Sequence, residues 1–185
     1  MINDLDAEPI MFALNELIAT DGLDVPSFRR LGRAINQSHS TVASRFGSKE
    51  AMLGRVAECF ADHYDEQLQR RAAWGGWEGF LPRTDDDHDW LRARAAWVEI
   101  GRGLADVGAA CARLVRAEAT LLQRTARDRR PVGTRGEPPD EWVHEAHLLL
   151  LGLWERLLAT SDGIAPAEAQ ALWAARLRTP RLLSP

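Results

Sequence analysis

Apolar side chains return every three or four positions along almost the whole chain, and nowhere do they keep the two-residue rhythm of a half-buried strand. That regularity confines the fold to helix packed on helix. A first helix over about 8–20 aligns Ile10, Leu14, Leu17 and Ile18 on one face. Asp21-Gly22 ends it, with Gly22 suited to the left-handed C-cap. Pro26 opens a second helix over about 26–35, which buries Phe28, Leu31 and Ala34 or Ile35. Asn36 tolerates the positive φ of a tight turn. Ser38 caps a third helix, 39–46, with Val42 and Phe46 inward. Gly47-Ser48 punctuates again, with Ser48 as a second N-cap. A fourth helix over about 49–72 carries the stripe Leu53, Val56, Ala57, Phe60, Tyr64 and Leu68.

Residues 73–85 break the pattern with Gly, Pro and three aromatics, and read as a mobile connector or a pocket-lining segment. A fifth helix follows over about 86–104, with Trp90, Ala93, Trp97, Ile100 and Leu104 inward. A sixth, over about 106–127, buries Val107, Cys111, Leu114, Ala117 and Leu121, with Glu118 close to that stripe. Residues 128–140 form a charged loop rich in Pro and Gly. Two further helices run over about 140–160 and 166–178, the second with Leu172, Trp173 and Leu177 apolar.

The formal net charge of −4 over 185 residues means that any nucleic-acid surface is local. The chain holds one local basic cluster, readable as a phosphate-binding face or as an ordinary solvated helical surface. Between Ser27 and Lys49 lie Arg29, Arg30, Arg33 and Arg45 and no acidic residue. The acids flank it, at Asp4, Asp6, Glu8, Glu16, Asp21, Asp24, Glu50 and Glu58. Three short helices with sharp turns, the later two separated by a few residues, form a helix-turn-helix, whose later helix enters the major groove. Lys49 is the only lysine in the chain.

The stretch Ala13–Val56 resembles the DNA-binding head of the TetR family of transcription regulators. The specific part is Ser-x-x-Thr-Val-x-x-x-Phe at Ser38–Phe46, followed at once by Gly-Ser-Lys-Glu-Ala-Met-Leu at Gly47–Leu53. The resemblance implies roles residue by residue. Ser27 and Arg29 stand at the start of the second helix, where phosphate is met. His39, Ser40 and Thr41 form the leading face that reads base edges. Ser44 and Arg45 face groove or backbone, and Lys49 meets a phosphate beside helix N-terminal amides. The sequence departs from the family at three places: Ala43 replaces a tyrosine, Asn36-Gln37 replaces Gly-Val, and Asp4, Asp6 and Glu8 replace a basic arm.

The resemblance further implies a homodimer built on the last two long helices, which sets two recognition helices about 34 Å apart. The run Leu148–Trp154 is apolar on every side and needs cover all round, from a partner subunit or from the chain's own core. Trp142, Leu150, Leu153, Trp154, Leu157 and Trp173 are the interface candidates. Trp74, Trp77, Phe80, Trp90 and Trp97 either line a pocket for an apolar or aromatic effector or pack the core.

Other chemistry is weaker. Glu141-x-x-His144, with Glu145 and His147 nearby, has the spacing of a bundle metal site but lacks a second such helix. Asp85, Asp86, Asp87 and Asp89 with His88 read as an acidic first helical turn. Cys59 and Cys111 have no metal-type spacing and read as two buried thiols, with a redox pair as the alternative. No catalytic signature is present, and no metal or cofactor is expected. The acidic N-terminus lacks a signal pattern, and no run approaches the roughly 20 apolar residues of a membrane span. The expectation is therefore a cytoplasmic, all-α protein. A helix-turn-helix head over 1–48 joins a helical effector-binding and dimerisation bundle over 49–185. Its partners are a double-stranded operator, a small effector and a second copy. The alternative is a helical ligand-binding or protein-interaction module with a degenerate head.

Overall fold

The computed structural model describes residues 7–21, 27–129, 139–159, 161 and 163–178, without the side chains of 19–21 and 178. Among them the chain forms eight α-helices, one 3-10 turn and no strand, as the periodicity requires. The helices are α1 (Glu8–Asp21), α2 (Phe28–Ala34), α3 (His39–Phe46), α4 (Lys49–Gly75), α5 (Asp85–Gly101), α6 (Ala105–Asp128), α7 (Asp140–Leu158) and α8 (Pro166–Arg178), with the 3-10 turn at Gly76–Phe80. The expected cap at Gly22, the opening at Pro26, the acids Asp4 and Asp6 and most of the 128–140 loop lie outside the described residues. The described residues divide into two compact units. One draws on the chain up to Asp65 and on Asp89–Val115; the other draws on Glu66–His88 and on the chain from Arg116 onward.

The first unit buries Ile10, Met11, Leu14 and Ile18 of α1 and Met52, Leu53, Val56 and Phe60 of α4. Phe60 stacks on Trp90 at 5.6 Å between ring centroids and lies 6.0 Å from the Trp97 ring. Trp97 is fully buried, so its indole N–H needs an acceptor, and the Asn15 side-chain oxygen supplies one at 3.1 Å. In α2, only Leu31 and Gly32 are buried. Phe28 and Ile35 are half-buried and Ala34 is exposed, because a helix this short turns little of its surface inward.

The second unit is organised by the segment expected to be a connector. Residues 73–75 continue α4, and Gly76, Gly79, Phe80, Leu81 and Pro82 are buried. A buried irregular backbone must find donors for its carbonyls. Three long side chains provide them. Trp173 Nε1–H donates to the Trp77 carbonyl (2.7 Å), Trp154 Nε1–H to that of Phe80 (2.8 Å) and the Arg71 guanidinium to that of Leu81 (2.6 Å). A Cβ at Gly79 would stand 2.1 Å from the Arg71 carbonyl oxygen, so only glycine lets the turn lie this close to α4.

Two polar groups are sealed in the same unit. Glu118 is 1% exposed and His147 7%, and His147 Nε2 lies 3.1 Å from Glu118 Oε2. The polar position noticed in the sixth helix is thus answered by a histidine from α7. Sealing either group alone would carry a desolvation cost that their mutual bond offsets.

The acidic run at the start of α5 is a helix N-terminus, as expected. Thr84 and Asp87 form a capping box. The Asp87 N–H donates to Thr84 Oγ1 (3.1 Å), and Asp87 Oδ2 accepts from the Thr84 N–H (3.0 Å) and the Arg83 N–H (2.8 Å). Arg71 adds an ion pair at 3.2 Å. Burial alone would raise the Asp87 carboxyl. The Arg83 amide, the Arg71 charge and the two Thr84 bonds outweigh it and hold the group below its ordinary 3.8. A carboxyl lowered by folding adds stability above its unfolded value, and that stability is lost as pH falls through its folded one. Asp87→Asn is therefore less stable than the parent at pH 7. The gap in urea midpoint stays level to about pH 5 and narrows below about pH 4.

Candidate nucleic-acid interface

The turn between α2 and α3 fixes everything that follows it. Asn36 has φ 54°, the left-handed conformation the sequence suggested. Its N–H bonds back to the Arg33 carbonyl (3.3 Å), and the Gln37 N–H bonds to that of Gly32 (2.7 Å). These are the two bonds of a Schellman motif. A Cβ on Gly32 would sit 2.7 Å from the Gln37 carbonyl oxygen. Gln37 is exposed, so the polar residue in the turn carries no burial cost.

Ser38 then starts α3. Its Oγ accepts from the Thr41 N–H at 3.0 Å and lies 2.9 Å from Ser40 Oγ and 2.7 Å from Thr41 Oγ1. Val42 and Phe46 turn inward, 2% and 8% exposed, which leaves His39, Ser40, Thr41, Ser44 and Arg45 on the outer side. Phe28 packs edge-on against His39 at 6.0 Å. That contact links the first turn of α2 to the leading end of α3, and sequence reasoning, which had assigned Phe28 to the core, missed it. Ser27 caps α2 by accepting from the Arg30 N–H at 3.3 Å, and Ser48 caps α4 by accepting from the Ala51 N–H at 3.0 Å. Ser27, Arg29, His39, Ser40, Thr41, Ser44 and Arg45 are all exposed, and Lys49 is half-buried at the start of α4. Glu8 turns its carboxylate to His63, 3.0 Å away.

The five aromatics proposed to line a pocket or pack the core are divided between the two units. Trp90 and Trp97 belong to the first unit, packed with Phe60. Trp77 and Phe80 belong to the second, with Trp77 5.7 Å from Trp142 and 6.1 Å from Trp173. Trp74 is 92% exposed. A concavity of about 470 Å³ lies instead between the ends of α4 and α6 in the second unit, with Arg70, Arg124, Arg129, Asp128, Leu121 and Thr125 on its wall.

The interface candidates also fall differently. Leu150, Leu153, Trp154 and Trp173 are at most 3% exposed within a single chain, and Trp154 and Trp173 are held by their bonds to the 3-10 turn. Their cover is the chain itself. Trp142 and Leu157 are half-buried, and the outward large residues of α7 and α8 are Leu148 (55% exposed) and Leu172 (46%). Glu141 and His144 are exposed, Glu145 pairs with Arg176, and His147 pairs with Glu118. Among the described residues no three metal-ligating side chains converge, and no helix is long and apolar enough to cross a membrane. Cys59 and Cys111 are half-buried, not sealed as expected.

No family model matches the chain, and no curated protein sequence matches it. Proteins of known structure share its fold. A transcriptional regulator from Rhodococcus sp. Rha1 superposes with a TM-score of 0.76 at 16% identity, covering 93% of this chain and 94% of its own. A Rhodococcus protein named as a TetR-family transcriptional regulator gives 0.72 at 13% identity, over 93% and 96%. The multidrug binding protein EbrR, solved with imidazole, gives 0.60 at 11% identity, over 96% and 98%. The all-α fold of this chain is therefore the fold of these regulators.

The turn geometry makes a direct test. Alanine at Gly32 gains at most about 1 kcal/mol of helix propensity. Forcing the backbone apart there costs about 1–3 kcal/mol. Gly32→Ala thus lowers the thermal and urea midpoints; a more stable variant would contradict the close approach described above.

Proposed function

We propose that the protein is a TetR-like, DNA-binding transcription regulator, a homodimeric repressor released by a small molecule. One observation carries the DNA-binding part. Along α2, α3 and the start of α4, Arg29, Arg30, Arg33 and Arg45 are exposed and Lys49 is half-buried, and residues 27–49 contain no acid. Cations on such a surface meet phosphates, while His39, Ser40 and Thr41 at the leading end of α3 meet base edges. The regulators sharing the fold support the same reading. Half-buried Ala43 offers no phenol to a phosphate, so affinity rests on the arginines and Lys49.

Dimerisation is assigned to α7 and α8, on the faces that carry Leu148 and Leu172. Large apolar residues this exposed on adjoining helices of one unit favour a second copy as their cover. An effector site in the second unit is supported by its arginine-lined concavity and, by analogy, by the multidrug binding protein among the structural relatives.

A mobility-shift assay with DNA from upstream of its own gene tests the reading. Lys49→Ala weakens binding to every duplex and lowers the salt slope by about 1. Thr41→Ala weakens the operator while sparing random DNA. Retention unchanged in both variants removes the assigned roles. No retention of any duplex by the parent leaves the alternative, a helical binding module with a degenerate head. For the dimer, Leu148→Asp with Leu172→Asp shifts the sedimenting species from two chains to one, and an unaltered dimer would assign the interface elsewhere.

A further inference from the structure

Glu8, His63 and Cys59 form a side-chain series in the first unit that DNA binding does not use. Cys59 and His63 stand one turn apart on α4, and Glu8 opens α1. His63 Nε2 lies 3.0 Å from Glu8 Oε1. Nδ1 lies 3.8 Å from Cys59 Sγ, within reach of a hydrogen bond to sulfur, and 3.2 Å from the Cys59 carbonyl oxygen. A carboxylate only accepts, so Nε2 carries the hydrogen of its bond. Nδ1 faces two groups: carrying a hydrogen it donates to the Cys59 carbonyl, which only accepts, and to a thiolate, and without that hydrogen it takes the thiol proton. Nucleophile, base and orienting carboxylate in hydrogen-bonded series is the arrangement that activates a cysteine.

The site is also reachable. The side chains of His63 and Glu8 are 30% and 43% exposed, and Cys59 is half-buried. Phe12, left 46% exposed, lies edge-on to the imidazole at 6.0 Å and offers a carbon skeleton an apolar surface. Cys111 is arranged otherwise, with its thiol donating to the Trp97 carbonyl at 3.3 Å.

We propose that Cys59 is a modification site for conjugated-carbonyl electrophiles, activated by His63, with Glu8 as the positioning residue. The sulfur attacks the β-carbon. The C–S bond forms as the π bond of the alkene breaks, and its electron pair passes to the α-carbon. That carbon takes the proton that left Sγ, relayed through Nδ1, so no oxidant is needed.

N-ethylmaleimide, itself an activated alkene, tests this on the intact protein, with peptide mass spectrometry resolving the two cysteines. Cys59 reacts at least about tenfold faster than Cys111 at pH 7. His63→Gln slows Cys59 at least about fivefold and leaves Cys111 unchanged. In Glu8→Gln the pH profile of Cys59 labelling moves to higher pH, which a merely structural role would not produce. If Cys111 also speeds up in His63→Gln, that variant has lost its fold, and the exposed, isosteric Glu8→Gln decides. Equal rates at the two cysteines in the parent, or a Cys59 profile unmoved in Glu8→Gln, overturns the proposal. The readout involves no DNA, so it stands or falls apart from the regulatory reading.

Discussion

The bond from the Gln37 amide to the Gly32 carbonyl, 2.7 Å long, decides what α3 can do. It forms only because Asn36 accepts a positive φ and because Gly32 has no Cβ to strike the returning chain. Once the chain is reversed there, Val42 and Phe46 must point back into the unit, and the opposite side of the helix has only solvent before it. The surface proposed to meet base edges is in this sense the remainder left by a packing solution. The Phe28–His39 contact then limits how far the leading end can swing.

The second unit solves another problem. Its irregular segment runs through the interior, where water cannot satisfy carbonyls. The chain meets that need with two indole N–H groups and one guanidinium, each at the tip of a side chain that is otherwise apolar or stem-like. The abundance of tryptophan therefore has a structural reason here: Trp154 and Trp173 are donors as well as filling.

What the sequence made legible was whatever depends on local spacing. The eight helices, the Ser38 and Ser48 caps, the Asn36 turn and the acidic start of α5 all follow from residues within a turn or two of each other. The exposure of Arg29, Arg30, Arg33 and Arg45 was visible for the same reason, since charge and periodicity sit together in residues 27–49. What escaped were partnerships across long separations. Glu118 meets His147 from 29 positions away and Trp173 reaches the Trp77 carbonyl from 96. An aromatic-rich stretch gives no hint of whether its rings gather in one place or divide between two, and these divide. Likewise, an all-round apolar helix gives no sign of which turns its own chain will cover.

Lys49 is the sole ε-amine among the side chains, and it stands at the head of α4, directly after the α3 turn. Acylating enzymes and labels directed at lysine therefore find a single side chain to modify. Neutralising that one group would remove a cation from the face proposed to meet phosphate and leave the remaining charges, all guanidinium, as they were.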